Sequence, residues 1–95
     1  MGMEEVVGVA AFRSRQQVMR FEGVLRRAGL NVRVISTPRD VAIGCGLSVE
    51  FPIRDAATVQ SILGRAHVPN LIGLYQIDRR GGGRPRLTVL TLGGM

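Results

Sequence analysis

The sequence predicts an α+β domain of the split βαβ (ferredoxin-like) kind, a two-layer sandwich of one antiparallel sheet and two helices. Three observations predict it. The chain has 95 residues, room for one small domain and not for two. Its apolar residues change period along the chain in the order strand, helix, strand, strand, helix, strand. Two helix-length segments each follow a strand, so each can return the chain across the sheet by a right-handed crossover.

Glu4 to Phe12 reads as the first strand, rich in Val and with small Gly8, Ala10 and Ala11 where a helix can pack closely. Ser14 opens the first helix, with Gln17 placed to complete a capping box. Val18, Phe21, Leu25 and Ala28 recur at helical spacing, Glu22 precedes Arg26 by four residues, and Gly29 with Leu30 supplies a Schellman ending. Asn31 to Ser36 is the second strand, with Val32 and Val34 on one face and Ile35 on the other. Leu47, Val49 and Phe51 alternate with Ser48 and Glu50 in a half-buried third strand. Thr37 to Gly46 connects the two. The second helix runs from about Asp55 to His67 with Ala56, Val59, Ile62, Leu63 and Ala66 on its apolar face. Asp55 is placed to serve its N-terminus and His67 its C-terminal dipole, and Val68-Pro69 ends it. Leu71 to Asp78 is the fourth strand. The expected sheet order is 4-1-3-2 with both helices on one face. Residues 1–80 form this domain, and 81–95 form a Gly-rich turn and a fifth strand, Leu87 to Leu92, at the edge beside strand four or against another subunit.

The first strand is apolar on both faces, Val6, Gly8, Ala10 and Phe12 on one and Val7, Val9 and Ala11 on the other. Helices on one side would leave the second face, with Ile35, to water. That predicts a homodimer packed through the open sheet face or the C-terminal strand.

The net charge is +6 and all thirteen basic residues are Arg. Most are scattered, as general composition gives. Arg79, Arg80, Arg84 and Arg86 cluster around Gly81-Gly82-Gly83, which reads as a solvated hairpin turn in preference to an RNA-binding arm. Aromatics are only 4%, Phe12, Phe21 and Phe51 read as core, and no stacking platform remains, so a nucleic-acid partner is not expected. No apolar stretch approaches the roughly 20 residues of a membrane helix, and the acidic start is unlike a signal peptide, so no membrane partner and a cytoplasmic location are expected. One Cys and one His do not supply a four-ligand metal site, no phosphate-loop motif is present, and no cofactor is implied. Carboxylates do not pair for acid/base work.

The single cysteine, Cys45, excludes an internal disulfide. In the expected topology the connection Thr37 to Gly46 lies at the same end of the sheet as the start of the first helix. Cys45 then lies near Arg13, Ser14 and the positive end of that helix, with Arg39 and Asp40 in its own loop. Such surroundings lower a thiol pKa. Gly44 and Gly46 leave the backbone on either side open, able to form an anion-binding nest. A lone cysteine is also compatible with a small buried hydrophobe in a tight strand entry, and both readings stand on the residues alone.

The chain resembles the selenium/sulfur carrier-like family of small bacterial domains. The resemblance rests on Phe12 ending the first strand, Ser14, Glu22 and Leu25 in the first helix, Gly29, the triplet Thr37-Pro38-Arg39, and the pair Cys45-Gly46 at the start of strand three. The family places small hydroxyl residues before the cysteine, where Ile43 and Gly44 stand here. The resemblance implies that Cys45 carries sulfane sulfur or selenium as a persulfide or selenopersulfide. Arg39 would support the anion, with Arg13, Ser14, Thr37, Pro38, Gly44 and Gly46 around it. The resemblance favours a carrier or accessory protein over a turnover enzyme and leaves that choice open, and its implied partners are sulfur or selenium donor and acceptor proteins. The alternative is a regulatory or binding module of the same fold with a structural Cys45.

Overall fold

The computed structural model describes residues 5–39, 41, 46–66, 68 and 70–92. The chain forms β1 (Val6–Phe12), α1 (Arg15–Arg27), β2 (Arg33–Ser36), β3 (Leu47–Pro52), a 3-10 turn (Ile53–Asp55), α2 (Ala56–Arg65), β4 (Leu71–Asp78) and β5 (Arg86–Leu92). These make a small α+β domain with one antiparallel five-stranded sheet and two helices.

The sheet differs from the expected four-strand order 4-1-3-2 in running to five strands, β2-β3-β1-β4-β5. The pairings 4-1, 1-3 and 3-2 are all present, and β5 extends the sheet beyond β4. Its physical reason is burial. Leu87 lies opposite Ile77 and packs with one apolar cluster, while Leu90 packs against the other. The arginine-rich segment between Asp78 and Arg86 is the exposed turn joining β4 to β5.

Local sequence accounts for the α1 boundaries. Ser14 is the N-cap, its hydroxyl accepting from the Gln17 amide at 3.4 Å. At the far end the Leu30 amide bonds the Leu25 carbonyl at 3.0 Å and the Gly29 amide bonds the Arg26 carbonyl at 3.0 Å, the Schellman pattern. Glu22 and Arg26 form the expected ion pair. Val18, Phe21 and Leu25 are buried, whereas Ala28, at the C-cap, is exposed. The second helix is shorter than expected. Ala56–Arg65 follows a 3-10 turn, Ala66 is extended and exposed, and Asp55 stands at the N-cap without a capping bond from its side chain. The approach to Val68-Pro69 explains the early stop, since a residue preceding proline avoids helical geometry. His67 lies outside the described residues.

Both helices pack on one face of the sheet. Val18, Phe21 and Leu25 of α1 and Val59 and Ile62 of α2 meet Ala10, Phe12, Val49, Phe51 and Leu74 of the strands. The Phe12 and Phe21 rings lie 5.4 Å apart, inclined at 56°. On the same face the Phe51 ring lies across Gly8, its partner on β1, so close that a Cβ on Gly8 would come within 2.1 Å of a ring carbon.

The opposite face corrects an expectation. Val7, Val9 and Ala11 are not left to water; they are 3%, 0% and 1% exposed within the single chain. Tyr75 and Ile77 of β4 flank them, Val41 comes over from the β2–β3 connection, and Ile35, Ile72 and Leu87 complete the cluster. Small residues on the central strand let their larger neighbours close above them. An open face over β1 therefore gives no reason for dimerisation.

Two predictions follow from this packing. Gly8→Ala forces Phe51 to move and should cost about 1–3 kcal/mol, the range for overpacking a closed core. Urea unfolding measures it, and Phe51→Leu combined with Gly8→Ala should recover part of the loss; independent, additive effects would sink the explanation. In the β4–β5 turn, the Arg80 guanidinium and the Arg80 backbone amide both donate to Asp78, holding its carboxyl down at about 2. A lowered folded pKa contributes stability that is present above the unfolded value, near 3.9, and is lost as pH falls through about 2. A carboxyl-observed NMR titration should place the Asp78 midpoint near that value, and Arg80→Ala should return it toward the ordinary range.

Candidate functional site

One end of the sheet gathers the chain segments singled out by sequence. β1 finishes there, α1 begins there, β2 leaves and β3 enters, and antiparallel pairing brings the start of β4 alongside, with Phe12 opposite Leu71. The Arg13 amide donates to the Asn70 carbonyl at 2.7 Å and ties the β1–α1 junction to the entry of β4. Asn70 takes a positive φ of 67° to present that carbonyl. The side chain of Arg13 is exposed, and Ser14 is half-buried at the helix cap.

The β2–β3 connection is fastened at its base. The Thr37 amide donates to the Gly46 carbonyl at 2.9 Å, and the Thr37 and Ser48 hydroxyls hydrogen-bond at 2.7 Å. Farther out, the Val41 amide donates to the Pro38 carbonyl at 3.1 Å, so Thr37-Pro38-Arg39 leads into a turn whose next described residue, Val41, is anchored in the second apolar cluster. Arg39 is exposed on that turn. Gly46 has φ +89° with nothing within 4 Å of where a Cβ would be, so the backbone sets its need for glycine, not crowding.

The structure thus brings Arg13, Ser14, Thr37, Pro38, Arg39 and Gly46 to one end of the sheet. Asp40, Gly44 and Cys45 lie outside the described residues, as do Ala42 and Ile43. α2 also ends here, and an apolar groove of about 300 Å³ opens beside it, lined by Leu63, Val68, Leu71 and Leu92 among others. Among the described residues no group of three or more His, Cys, Asp or Glu side chains could hold a metal ion.

Sequence reasoning missed the structural part played by Ser48. Alternation with Leu47 and Val49 assigned it to a polar face, yet it is 0% exposed. The face it occupies is the second apolar cluster, where it stands between Ala11 of β1 and Ile35 of β2 in register. A small hydroxyl residue fits there because Thr37 satisfies it. The available signal was the Thr37-to-Ser48 spacing across a hairpin, which a register from 33–36 against 47–50 makes a diagonal pair. Ser48→Ala should leave the Thr37 hydroxyl in a part-buried position without its partner and cost about 1–3 kcal/mol. Thr37→Val with Ser48→Ala should cost less than the two separate changes together; equality with their sum in chemical denaturation would show that the hydroxyls are not coupled.

No curated protein and no solved structure matches the chain. Among the described residues no helix is long and apolar enough to cross a membrane. The family model that matches is described as "Putative Se/S carrier protein-like", and it covers residues 7–72, from the second residue of β1 to the second residue of β4. That span holds the β1–α1–β2–β3–α2 succession but for the first residue of β1, together with both ends of the fastened connection, and on it the chain belongs to the Se/S carrier protein-like family.

Proposed function

We propose that the protein carries a sulfane sulfur or selenium atom on Cys45, as a persulfide or selenopersulfide, between donor and acceptor proteins of the cytoplasm. The observation that carries this reading is the family match across residues 7–72, which includes the connection holding the chain's one cysteine. The geometry supports it. Thr37 and Gly46 clamp the base of that connection, Arg39 is exposed on it, and α1 begins at the same end of the sheet. We read the arrangement of the first four strands and two helices as ferredoxin-like, the architecture that sets the β2–β3 connection beside the start of α1.

The chemistry needs one thiolate and no second thiol. The Cys45 thiolate attacks the terminal sulfur of a donor persulfide, forming a new S–S bond as the donor's S–S bond breaks and its thiolate leaves. The proton on the terminal sulfur travels with it. Sulfane sulfur changes carrier with no external oxidant or reductant. An acceptor thiolate unloads the atom by the same exchange. A selenium atom follows the same course with an S–Se bond formed on Cys45. Positive charge from Arg39, with Arg13 and the α1 N-terminus behind it, favours the thiolate and the terminal anion. A lone cysteine has no neighbour in its own chain to resolve the adduct as a disulfide.

Intact mass after incubation with a persulfide donor tests the reading. The protein should gain one sulfane atom and Cys45→Ser none; equal loading of the variant would refute it. Loading of neither would favour the alternative, a binding module in which Cys45 is structural. Arg39→Ala should slow alkylation of Cys45 by iodoacetamide at pH 7 about two- to tenfold, the thiolate lost when a thiol pKa rises by up to one unit. An unchanged rate would remove Arg39 from the site.

A further inference from the structure

The family match ends at residue 72, and β5 lies beyond it. The carrier reading makes no use of this strand, yet its sequence and exposure are those of a strand built to be paired. The two edges of the sheet are unlike. β2 has four residues, and its Arg33 is paired with Glu50 at 2.7 Å. A short, charged edge resists addition of another strand. β5 has seven residues, and from Leu87 to Leu92 it carries neither charge nor proline. Two of the three large hydrophobic side chains exposed on the described chain, Val89 at 51% and Leu92 at 70%, belong to it. The Leu90 carbonyl and the Thr91 hydroxyl accept from the Gln60 side chain of α2; the remaining outer backbone donors and acceptors on such an edge fit another extended chain.

The identity of that chain follows from self-complementarity. Leu87-Thr88-Val89-Leu90-Thr91-Leu92 reads almost alike in both directions. A two-fold axis normal to a sheet keeps each residue on its own face, so in an unbroken strand of six residues Leu87 and Leu92 would fall on opposite faces and could not meet. The bulge in β5 removes that obstacle. Val89 lies opposite Tyr75 and Thr91 opposite Leu74, which makes Leu90 the extra residue. Leu87, Val89 and Leu92 then share the face of Ile77, Tyr75 and Gly73, while Thr91 shares that of Leu74 and Leu90 packs against the helix-side core.

We propose that β5 pairs antiparallel with β5 of a second copy about a two-fold axis at Val89, joining two sheets into one of ten strands. Val89 meets Val89, Leu87 meets Leu92 of the second copy, and Thr88 meets Thr91. The cluster of Tyr75, Ile77 and Leu87 thereby continues across the axis. Charge agrees with this choice of edge. Each chain carries +6, so two copies repel, and this strand lets them meet over six uncharged residues with Arg86 held at the far end from the axis. The proposal is independent of the chemistry at Cys45.

Sedimentation equilibrium on the full chain, from micromolar to hundreds of micromolar, should show a species of twice 10.3 kDa. Val89→Lys places two like charges face to face and should weaken it at least about tenfold, while Met19→Lys on α1 leaves it unchanged. A monomer throughout, or a dimer indifferent to Val89→Lys, overturns the proposal. A second measurement does not depend on the charged variant's folding. In a Cys45→Ser background, Val89→Cys should form an intermolecular disulfide under mild copper-catalysed oxidation, because facing residues on paired strands have Cβ atoms about 4.5–5.5 Å apart. Met19→Cys in the same background is the control, and equally ready cross-linking of Met19→Cys overturns the proposal.

Discussion

The constraint on which the structure depends is that β1 lies in the interior on both of its faces. Val9 and Ala10, adjacent residues pointing opposite ways, are both 0% exposed. A central strand with two dry faces needs cover from two directions, and the chain supplies it by different means. On the helix side, α1 and α2 bring Val18, Phe21, Leu25, Val59 and Ile62, and Phe51 lies across Gly8. On the other side no helix lies among the described residues. Tyr75 and Ile77 of the adjacent strand flank the small β1 side chains, and Val41 adds a contribution from the connection. Burial of apolar area at about 25 cal/mol per Å² therefore acts on the connection as well as on the regular elements.

That second cluster links folding to the candidate site. The connection between β2 and β3 is ten residues long by sequence, Thr37 to Gly46, long enough to wander if nothing held it. It is held at its base by the Thr37–Gly46 backbone bond and the Thr37–Ser48 hydroxyl pair, and farther along by the burial of Val41. Cys45 is joined in sequence to one end of this clamp. The base of the connection is thus held by packing and hydrogen bonds, as suits a loop presented from a rigid scaffold.

Much of the fold was legible because its signals are local. Leu71–Asp78 was read to the residue from an apolar run bounded by a proline and an arginine-rich turn, and α1 from Ser14 and Gly29 at its ends. What was not legible needs knowledge of what lies above a face. Alternation said that Val7, Val9 and Ala11 point away from the helices, and it could not say that Tyr75 and Val41 would cover them. Ser48 was misassigned for the same reason, since a strand pattern gives sides and not solvent. The α2 C-terminus was overextended because Ala66 fits a helical face, while the chain there turns to reach Val68 and the entry to β4. At the candidate site, topology alone sets the residues on either side of the connection at the end of the sheet where α1 begins, and Cys45 itself lies outside the described residues.

Topology also decides which electrostatic field the connection experiences. The end of the sheet that bears it receives two helix termini of opposite sign, the positive start of α1 and the negative end of α2. They do not act equally. α1 packs over β1, β2 and β3, the side from which the connection springs, whereas Gln60 of α2 reaches Leu90 and Thr91 on β5 at the other side. Arg65, in the last turn of α2, further offsets the negative end. The three ion pairs among the described residues, Glu22–Arg26, Arg33–Glu50 and Asp78–Arg80, engage neither Arg13, Arg15, Arg39 nor Arg65, all four of which are exposed at the end that bears the connection. Thirteen arginines spread along a sequence look like composition; the fold turns four of them into a positive end. Such a field is screened beyond about 8 Å at physiological salt. It therefore acts on an anion held close to that end, such as the one the proposed carrier chemistry calls for, and only weakly on partners still at a distance.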